Sequence, residues 1–428
     1  MIQRIVAENR KGRALGITSV CSAHPWVLEA ALAQALDDGA PALIESTSNQ
    51  VNQFGGYTGM TPAQFADDLR SLADRMGLPS ERVVLGGDHL GPYPWRKRPA
   101  GDAMEYAKKM VRDYVLAGYT KIHLDASMPC TDDPPGALDL AVAAQRAAEL
   151  CRAAEEAASE LPPGSPAPLY VIGTEVPVPG GEQLESGAPA VTKIDDAEAT
   201  LRAHEAAFAA IGRAEAIERV IGLVVQPGVE FGSSVVFGYD RARAAALSAK
   251  LPARPELVYE AHSTDYQTAG ALREMVEDHF AILKVGPWLT FAMREAIFAL
   301  SMIEKEWLGG NRPVRLSRVR EALENAMQNE PAHWKDYYKG TEEELRFARL
   351  YSYSDRCRYY WPGSTVKAEL DMLVGNLTRD ALPPALLSQF LPSQYEAVRN
   401  GTLTPEPAAL IKDRVRDVLR IYASACRG

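Results

Sequence analysis

An acid and an imidazole stand side by side at Asp88 and His89, inside the segment VVLGGDHLGP at 83–92. The apolar run before them is short and gives way to Gly and Pro, so the pattern predicts a buried strand that opens into a loop. A carboxylate next to an imidazole can bind a divalent metal or carry a proton. An isolated pair of this kind is more often a solvated acid beside a hydrogen-bonded histidine, so the rest of the chain must decide.

Polar side chains recur where predicted strands meet their outgoing loops. Side chains two apart on a strand share a face, so Glu260 with His262, and His123 with Asp125, are each expected to point inward together. Seven consecutive strands with such ends are hard to explain by solvation, and they predict a functional site on this face. From the second strand to the eighth these residues are Glu45, Ser48 and Asn49; Asp88 and His89; His123 and Asp125; Glu175; Gln226 and Glu230; Glu260 and His262; and Lys284.

Metal binding is the sharper hypothesis for this face. His89 and His262 come from different predicted strands and would converge across the mouth, with carboxylates nearby to complete the coordination. The two residues are far apart in sequence, so no local spacing identifies a metal site, and the residues alone leave it open. Lys284 offers a different chemistry, a Schiff base with a ketone. An ion pair of Lys284 with Glu260 or Asp125 is the favoured interpretation.

The elements that would position these residues repeat along the chain. Eight apolar runs, each followed by an amphipathic stretch, extend to about residue 308. Strands separated by helices pair in parallel, and eight such units close a (β/α)8 TIM barrel, an α/β fold. The runner-up, an open doubly wound sheet, lacks support because no GxGxxG follows the first strand. Long polar segments after the second, fifth and sixth strands make the carboxyl ends of the strands the working face.

The alternation stops after residue 308. An aromatic and basic stretch, HWKDYYKGTEEELRFARLYSYSDRCRYYW, lies among segments with helical patterns. We therefore predict a barrel over 1–308 and a helical extension over 309–428 that packs on it. The helices of this extension are predicted at 315–329 and around 366–376, 384–399 and 404–424.

The composition excludes several classes of protein. The chain has 428 residues, of which 46% are hydrophobic, and a formal net charge of -10, which argues against a nucleic-acid partner. A basic cluster, Arg96-Lys97-Arg98, could receive a phosphorylated small molecule, although a solvated cluster is the favoured interpretation. The five cysteines form no CxxC, the first residues have no signal-peptide core, and no run approaches the roughly 18 apolar residues of a membrane span. We expect a cytoplasmic protein without a membrane partner.

Several long motifs resemble the GatZ/KbaZ family, which forms the second subunit of class II D-tagatose-1,6-bisphosphate aldolase. Some members carry the label tagatose 6-phosphate kinase. The resemblance covers nearly the whole chain and implies a (β/α)8 barrel, a lyase of tagatose and galactitol catabolism, and a distant relation to class II ketose-bisphosphate aldolases, which are zinc-dependent. The motifs are ITSVCSAHPWVLEAAL, LIESTSNQVNQFGGYTGMTP, GGDHLGPYPW, KIHLDASM, YVIGTEVPVPGG, VVQPGVEFG, YEAHSTDYQT, LKVGPWLTFAMREA and, in the tail, SYSDRCRYYWP.

The resemblance to class II aldolases also implies residue roles. Asp88 and His89 match an Asp-His pair that supplies the catalytic acid/base and a metal ligand, respectively. His262 matches a second zinc histidine, and Glu175 resembles a glutamate close to the metal. The implied cofactor is thus a divalent metal, zinc in that family.

Two segments depart from the pattern of class II aldolases. The third zinc histidine is missing after the sixth strand, where Gln226 and Glu230 are the candidate ligands. The glycine-rich phosphate loop after the seventh strand is replaced by HSTDYQ, which contains Ser263 and Thr264. Three functions therefore remain open: an aldolase subunit, a metal-dependent ketose 4-epimerase, and a non-catalytic subunit that stabilises a separate aldolase. A kinase is disfavoured because the chain has no GxxxxGK[ST].

Substrate contacts are expected at the same face. The substrate would be a ketose or ketose phosphate, and the other expected partners are a class II aldolase catalytic subunit and further copies of this chain. The segments PYPWRKRP and DYYKG are expected at the rim of the mouth or at a subunit contact. The candidate substrate-binding residues are Asn52, Asp125, Glu260, Ser263, Lys284 and Arg356, with Arg358 as an alternative to the last.

Overall fold

The computed structural model describes residues 1–174, 187–251, 253–310 and 313–427. The strands are β1 (Ile17–Cys21), β2 (Ala42–Thr47), β3 (Val83–Leu90), β4 (Lys121–Leu124), β5 (Leu169–Ile172), β6 (Val220–Val225), β7 (Glu230–Phe231), β8 (Val236–Phe237), β9 (Val258–Ala261) and β10 (Phe280–Val285). Within the described residues eight parallel strands close into a barrel in the order β1-β10-β9-β6-β5-β4-β3-β2, so the predicted (β/α)8 fold is confirmed. Strands β7 and β8 form a separate short hairpin, so the seventh and eighth strands of the predicted barrel are β9 and β10.

Helices surround the barrel and form the whole of the regular structure after it. None of the described helices is long and apolar enough to cross a membrane. The helices are α1 (Ile2–Arg10), α2 (Pro25–Asp38), α3 (Pro62–Met76), α4 (Ala100–Leu116), α5 (Leu140–Ser159), α6 (Ile194–Ala210), α7 (Arg241–Ser248), α8 (Ala269–Glu277), α9 (Pro287–Leu308), α10 (Val319–Asn329), α11 (Glu342–Tyr351), α12 (Ser364–Arg379), α13 (Pro384–Phe390), α14 (Pro392–Arg399) and α15 (Pro407–Cys426), with 3-10 turns at Ser80–Arg82, Tyr93–Trp95, Ala214–Arg219, Pro331–His333 and Arg356–Tyr360.

The local sequence explains where these helices begin and end. Thr61 begins α3 with a capping box, because its side chain accepts the N–H of Gln64 while the Gln64 side chain accepts the N–H of Thr61. Gly77 ends the same helix in the left-handed conformation, at φ 76°, which glycine adopts without a steric cost. The signals that flank the amphipathic pattern thus set both ends of the helix.

The first helix was not among the predicted units. Ile2, Ile5 and Val6 of α1 are buried and pack with Ile17 of β1 and Leu43 of β2 in a separate apolar cluster. Helix α1 therefore covers the end of the barrel where the strands begin. The carboxyl ends of the strands are left to form the mouth.

The last helix links the segment after residue 308, here called the tail, to the mouth of the barrel. Helix α15 packs against α2, α8 and α9, and the Tyr422 hydroxyl on α15 donates to the Thr264 carbonyl oxygen at 2.8 Å. The Thr264 hydroxyl in turn donates to the Lys284 carbonyl oxygen at 2.6 Å. The tail thereby fixes the loop after β9 against β10. The predicted division of the chain at residue 308, where α9 ends, stays a prediction.

We expect Tyr422→Phe to lower the free energy of unfolding by about 1 kcal/mol, because the buried Thr264 carbonyl loses its donor on α15. Urea denaturation of the full chain measures this change. Ser424→Ala, at an exposed position on the same helix, is the matched control and should shift the free energy by less than about 0.5 kcal/mol. Equal unfolding curves for Tyr422→Phe and the wild type would contradict the linking role of this hydrogen bond.

Candidate active site

A distortion of β3 brings Asp88 and His89 to the same cavity. Adjacent residues on a regular strand point to opposite faces, but the register between β3 and β4 shifts between Gly87 and Leu90. His89 lies in this shift with a φ of 50°, a conformation that is uncommon for residues other than glycine. The irregular strand end redirects the second side chain, so both Asp88 and His89 line the cavity at the mouth.

Two glycines let β3 come this close to its neighbours. A Cβ atom on Gly86 would lie 2.6 Å from Cγ of Glu45, because the Glu45 side chain lies directly against the backbone of β3. A Cβ atom on Gly91 would lie 1.6 Å from the carbonyl oxygen of Asp125. The GG and LGP parts of the motif thus provide the close backbone approach on which the site depends.

A network of buried ions fills the barrel below the cavity. Lys121 on β4 places its Nζ 2.5 Å from Oε1 of Glu45 and 2.8 Å from Oε2 of Glu260. Lys284 on β10 places its Nζ 2.8 Å from Oδ1 of Asp88 and 3.3 Å from Oε1 of Glu260, and it also pairs with Glu45. The side chains of Lys121, Glu45 and Glu260 are completely buried. These two ammonium groups hold carboxylates from β2, β3 and β9 in fixed positions.

The surrounding charges keep this network ionised. Burial opposes the charge on Asp88, but the charges of His89 and Lys284 and a hydrogen bond from His123 hold its pKa well below the usual range. Burial likewise opposes the charge on Lys284, yet the neighbouring anionic groups, with Asp88 first, raise its pKa well above the usual range. Lys284 is therefore protonated. The ion pair between Lys284 and Glu260 that the sequence favours is present. A protonated amine is not a nucleophile, so the structure does not support a Schiff base at Lys284.

Four side chains offer ligand atoms for one cation. One atom from each of Asp88, His123, Glu260 and His262 lies within 4.8 Å of the other three, and all four residues are buried. Nδ1 of His123 lies 2.9 Å from Oδ1 of Asp88, while its Nε2 is buried without a hydrogen-bond partner among the described residues. A carboxylate on one ring nitrogen with the other left open is how proteins orient a histidine ligand.

The chemistry of these donors fits a divalent metal. Burial lowers the pKa of His262 to about 3, although the hydrogen bond to Glu260 would raise it. His262 is therefore neutral at physiological pH, as a metal ligand must be. Two imidazoles with two carboxylates form a nitrogen and oxygen donor set of the kind that zinc accepts.

His89 lies beside this group instead of within it. Its Nδ1 lies 2.8 Å from Oδ2 of Asp125, and Ser127 donates to the other oxygen of the same carboxylate at 2.6 Å from its hydroxyl. Burial opposes a charge on His89, but Asp88 and Asp125 together raise its pKa. Nε2 of His89 lies 3.5 Å from Oδ2 of Asp88. The Asp125 carboxylate thus orients an imidazole that faces the cavity.

The cavity at the mouth, here called the mouth cavity, has a volume of about 90 Å³ and is lined in part by the tail. Arg358 and Tyr359 reach it from the 3-10 turn Arg356–Tyr360. That turn is anchored by Asp355, which accepts hydrogen bonds from the Thr290 hydroxyl at 2.6 Å and from Nε of Arg294 at 3.2 Å. The tail therefore contributes side chains to the site. The lining residues used below are Asn49, Tyr57, Asp88, His89, His262, Ser263, Lys284, Arg358 and Tyr359.

Several predicted site residues lie away from the four ligand atoms. Oε1 of Gln226 accepts the N–H of Gly228 at 2.8 Å, and Oε1 of Glu230 accepts the N–H of Phe231 at 2.9 Å. Neither Gln226 nor Glu230 lines the mouth cavity. The side chains of Gln226 and Glu230 are thus directed to nearby backbone groups.

Ser263, by contrast, does line the mouth cavity, in a left-handed conformation with a φ of 53°.

The remaining predicted residues take other positions. The Asn52 side chain holds its own loop, since Nδ2 donates to the Ser48 carbonyl oxygen at 2.9 Å and Oδ1 accepts the N–H of Phe54 at 2.9 Å. Nη1 of Arg356 donates to the His333 carbonyl oxygen at 3.0 Å, and Arg358 reaches the mouth cavity in its place. Glu175 lies outside the described residues.

The sequence predicts no specific role for three residues of the site. His123 and Glu45 are predicted only as polar residues at strand ends, and Lys121 stands only within the motif KIHLDASM. A signal was present in the segment KIHLD, where Lys121, His123 and Asp125 alternate with apolar residues. This period of two places all three on the face toward the barrel interior.

Comparison with known proteins shows the family of this chain. The family model "D-tagatose-1,6-bisphosphate aldolase subunit GatZ/KbaZ-like" matches residues 2–427. A D-tagatose-1,6-bisphosphate aldolase subunit GatZ from Klebsiella pneumoniae is 52% identical over 422 residues, which are 99% of this chain and 98% of that protein. The subunit of the same name from Salmonella enteritidis is 51% identical over 425 residues, which are 99% of each protein.

A solved structure gives the same result for the fold. The crystal structure described as a "probable tagatose 6 phosphate kinase" from Sinorhizobium meliloti is 49% identical to this chain, with a TM-score of 0.87. The match covers 96% of this chain and 100% of the other. The resemblance predicted from the motifs is therefore confirmed over nearly the full length.

We expect Lys121→Met to lower the free energy of unfolding by about 3–5 kcal/mol, because Glu45 and Glu260 would be left buried without this partner. Chemical denaturation followed by circular dichroism measures the change. The matched control is Lys109→Met, which removes an exposed ion pair with Asp113 and should cost less than about 1 kcal/mol. A loss as small as that of the control would show that the buried network does not depend on Lys121.

Proposed function

The chain belongs to the GatZ/KbaZ-like family of D-tagatose-1,6-bisphosphate aldolase subunits, and from this premise we propose that its mouth cavity binds a divalent metal and cleaves a phosphorylated ketose. The observation that carries the proposal is the group of four ligand atoms from Asp88, His123, Glu260 and His262. The bond to be broken is C3–C4 of a sugar of the tagatose 1,6-bisphosphate type, the substrate in the names of the relatives.

The charges of the site support a divalent cation. The carboxylates of the network are buried, as are the two lysines that face them. Three carboxylates against two ammonium groups leave an excess of negative charge, and buried charge of this kind is costly unless it is compensated. A divalent ion would offset this charge, and a donor set of imidazoles and carboxylates suits zinc. The carboxylates are Glu45, Asp88 and Glu260, and the ammonium groups belong to Lys121 and Lys284.

His123, His262, Asp88 and Glu260 would hold this metal. When bound, a divalent cation supplies Lewis-acid polarisation of the ketose carbonyl. Lys284 keeps the Asp88 and Glu260 carboxylates ionised and in place, because its ammonium group lies within 3.3 Å of both.

The geometry favours His89 as the group that moves the proton. In its unprotonated form, His89 takes the proton from the C4 hydroxyl on Nε2; C4 leaves as the aldehyde carbon of a triose, and the electron pair of the C3–C4 bond stays on C3, to which the proton then returns. Asp125 positions the imidazole through its 2.8 Å contact. This proposal exchanges the roles that the resemblance implied, because Asp88 joins the ligand group and His89 carries the proton.

We further propose that the chain assembles with a separate aldolase subunit while its own mouth cavity remains catalytic. The relatives are named subunits, and the side chains of Gln226 and Glu230 bond to their own backbone segment instead of replacing the missing zinc histidine. The five cysteines are free, which suits a reducing cytoplasm. Residues 1–308 would form the catalytic barrel and 309–428 the extension that covers it.

Metal content of the purified chain tests the ligand assignment. We expect wild-type protein to retain one equivalent of a divalent metal, measured by inductively coupled plasma mass spectrometry after gel filtration. His123→Gln and His262→Gln should each weaken metal binding by about 10-fold or more, because each removes a donor. Asp113→Asn, at a surface carboxylate, should bind metal as the wild type does. Full metal occupancy in both histidine variants would contradict the assignment.

Turnover tests the proposed reaction. The purified chain is incubated with tagatose 1,6-bisphosphate, and triose release and C4 epimerisation are followed separately. We expect triose release, with a kcat that falls by about 10²–10⁴-fold in His89→Gln and is unchanged in Asp113→Asn. Epimerised hexose without triose would replace the aldolase by a ketose 4-epimerase. Turnover that appears only when a catalytic subunit is added, and is unaffected by His89→Gln, would leave a stabilising role instead.

A further inference from the structure

Two arginines of the tail, one buried and one half-buried, have no acidic partner among the described residues. Neither Arg356 nor Arg358 forms an ion pair with a carboxylate of those residues, and Arg356 is 3% exposed. Nη1 of Arg356 donates to the His333 carbonyl oxygen, but its Nε and Nη2 are buried with no hydrogen-bond partner in the described chain. The ring of Tyr337, over which the guanidinium carbon lies, compensates this buried charge only in part, so an anion that reached it would be stabilising.

A cavity lies beside Arg356. This second cavity, here called the tail cavity, has a volume of about 550 Å³, and no aspartate or glutamate of the part of the chain that the structure describes lines it. It is built from the loop after β2, the turn after β3 and the tail. Its lining residues are Asn49, Asn52, Phe54, Gly56, Tyr57, Tyr93, Pro94, Trp95, Ala332, His333, Tyr337, Arg356 and Tyr359.

The tail cavity adjoins the mouth cavity. Asn49, Tyr57 and Tyr359 line both of them, and the rings of Tyr57 and Tyr359 meet edge to face with centroids 4.8 Å apart. A molecule of sugar phosphate size could therefore place its reacting carbons at the mouth and one end beside the tail. The segments PYPWRKRP and DYYKG, expected at the rim, provide Tyr93, Trp95 and Tyr337.

The tail cavity is a positively charged environment. Burial would raise the pKa of Tyr359, yet the charges of Arg358 and Arg356 lower it. Burial lowers the pKa of His333, and the same two arginines lower it further. At the rim, the guanidinium carbon of Arg96 lies 4.9 Å from the centroid of the Tyr93 ring, and Arg96 itself is exposed. Arg356 thus lines the tail cavity, and Arg358 and Arg96 lie beside tyrosines that line it, namely Tyr359 and Tyr93.

We propose that the tail cavity binds a phosphate monoester through Arg356. The planar guanidinium presents paired donors that match the oxygens of a phosphate, and a dianion compensates two arginines better than a single carboxylate does. The source of the phosphate is one end of the ketose that reacts in the mouth cavity, and this part of the inference rests on the proposed function. The predicted substrate role of Arg356 would then concern the phosphate and not the reacting carbons.

Isothermal titration of the full chain, as purified, tests this inference. Inorganic phosphate, fructose 6-phosphate and fructose are titrated separately, so that free phosphate and a sugar phosphate are distinguished. We expect Arg356→Gln to weaken the binding of both phosphate compounds by about 10-fold or more, and to leave any binding of fructose unchanged. Arg152→Gln, an exposed position on α5, is the matched control and should bind as the wild type does.

A second variant keeps the test decisive if Arg356→Gln does not fold. Arg96 is exposed, so Arg96→Gln leaves the core intact, and it should weaken phosphate binding by about 3-fold. Equal phosphate affinity in Arg356→Gln and wild type would overturn the proposal. If Arg356→Gln is unfolded, unchanged affinity in Arg96→Gln would do the same, and so would a wild-type chain that binds no phosphate at about 10 mM.

The outcome is separable from that of the proposed function. Phosphate binding that depends on Arg356 in a chain without turnover would support the tail cavity and remove the catalytic proposal alone. Turnover with unaltered phosphate affinity in Arg356→Gln would remove the tail cavity alone.

Discussion

The pairing of two buried lysines with the carboxylates of three strands is the interaction on which the rest of this structure depends. Lys121 lies between Glu45 and Glu260, and Lys284 connects Glu260 to Asp88. A barrel interior is normally filled by apolar layers, so these charges have a cost in desolvation that their mutual attraction only partly returns. The network contains more carboxylates than ammonium groups, and this excess of negative charge makes the mouth suited to a cation.

The tail is part of the same arrangement. Helix α15 fixes the loop after β9 through Tyr422 and Thr264, and the bond from Thr264 to the Lys284 carbonyl extends this support to β10. Asp355, which is buried, anchors the turn that carries Arg358 and Tyr359 to the mouth cavity. A region outside the repeating barrel units therefore supports the loop after β9 and contributes side chains to the lining of the site. The tail also supplies the arginines that give the second cavity its charge.

The sequence predicts the fold because the fold repeats a simple pattern. Eight apolar runs with amphipathic stretches between them specify strand and helix without any long-range information, and residues at strand ends must meet at one mouth. The helix α1 was missed because it precedes the first unit and its apolar residues are few. The sequence also predicts where the site lies, because Asp88, His123 and Glu260 stand where predicted strands meet their outgoing loops.

The detailed geometry depends on contacts that no local pattern contains. The register shift that redirects His89 arises from the fit of β3 against β4, and the ligand group forms only where Asp88, His123, Glu260 and His262 meet in the folded barrel. The pairing of Lys121 with Glu45 and Glu260 is a property of barrel closure. The side chains of Gln226 and Glu230 bond to backbone close to them in sequence, but only the folded loop shows that these bonds form.

The location of a bound metal tests the central claim most directly. Crystals of the zinc-loaded chain, measured at the zinc absorption edge, would give an anomalous peak at the position of the ion. The account predicts a peak about 2.0–2.2 Å from a ring nitrogen of His123 and of His262, with carboxylate oxygens of Asp88 or Glu260 at a similar distance. A peak held by His89 together with Glu230, or a zinc-loaded crystal without a peak in the barrel mouth, would contradict it.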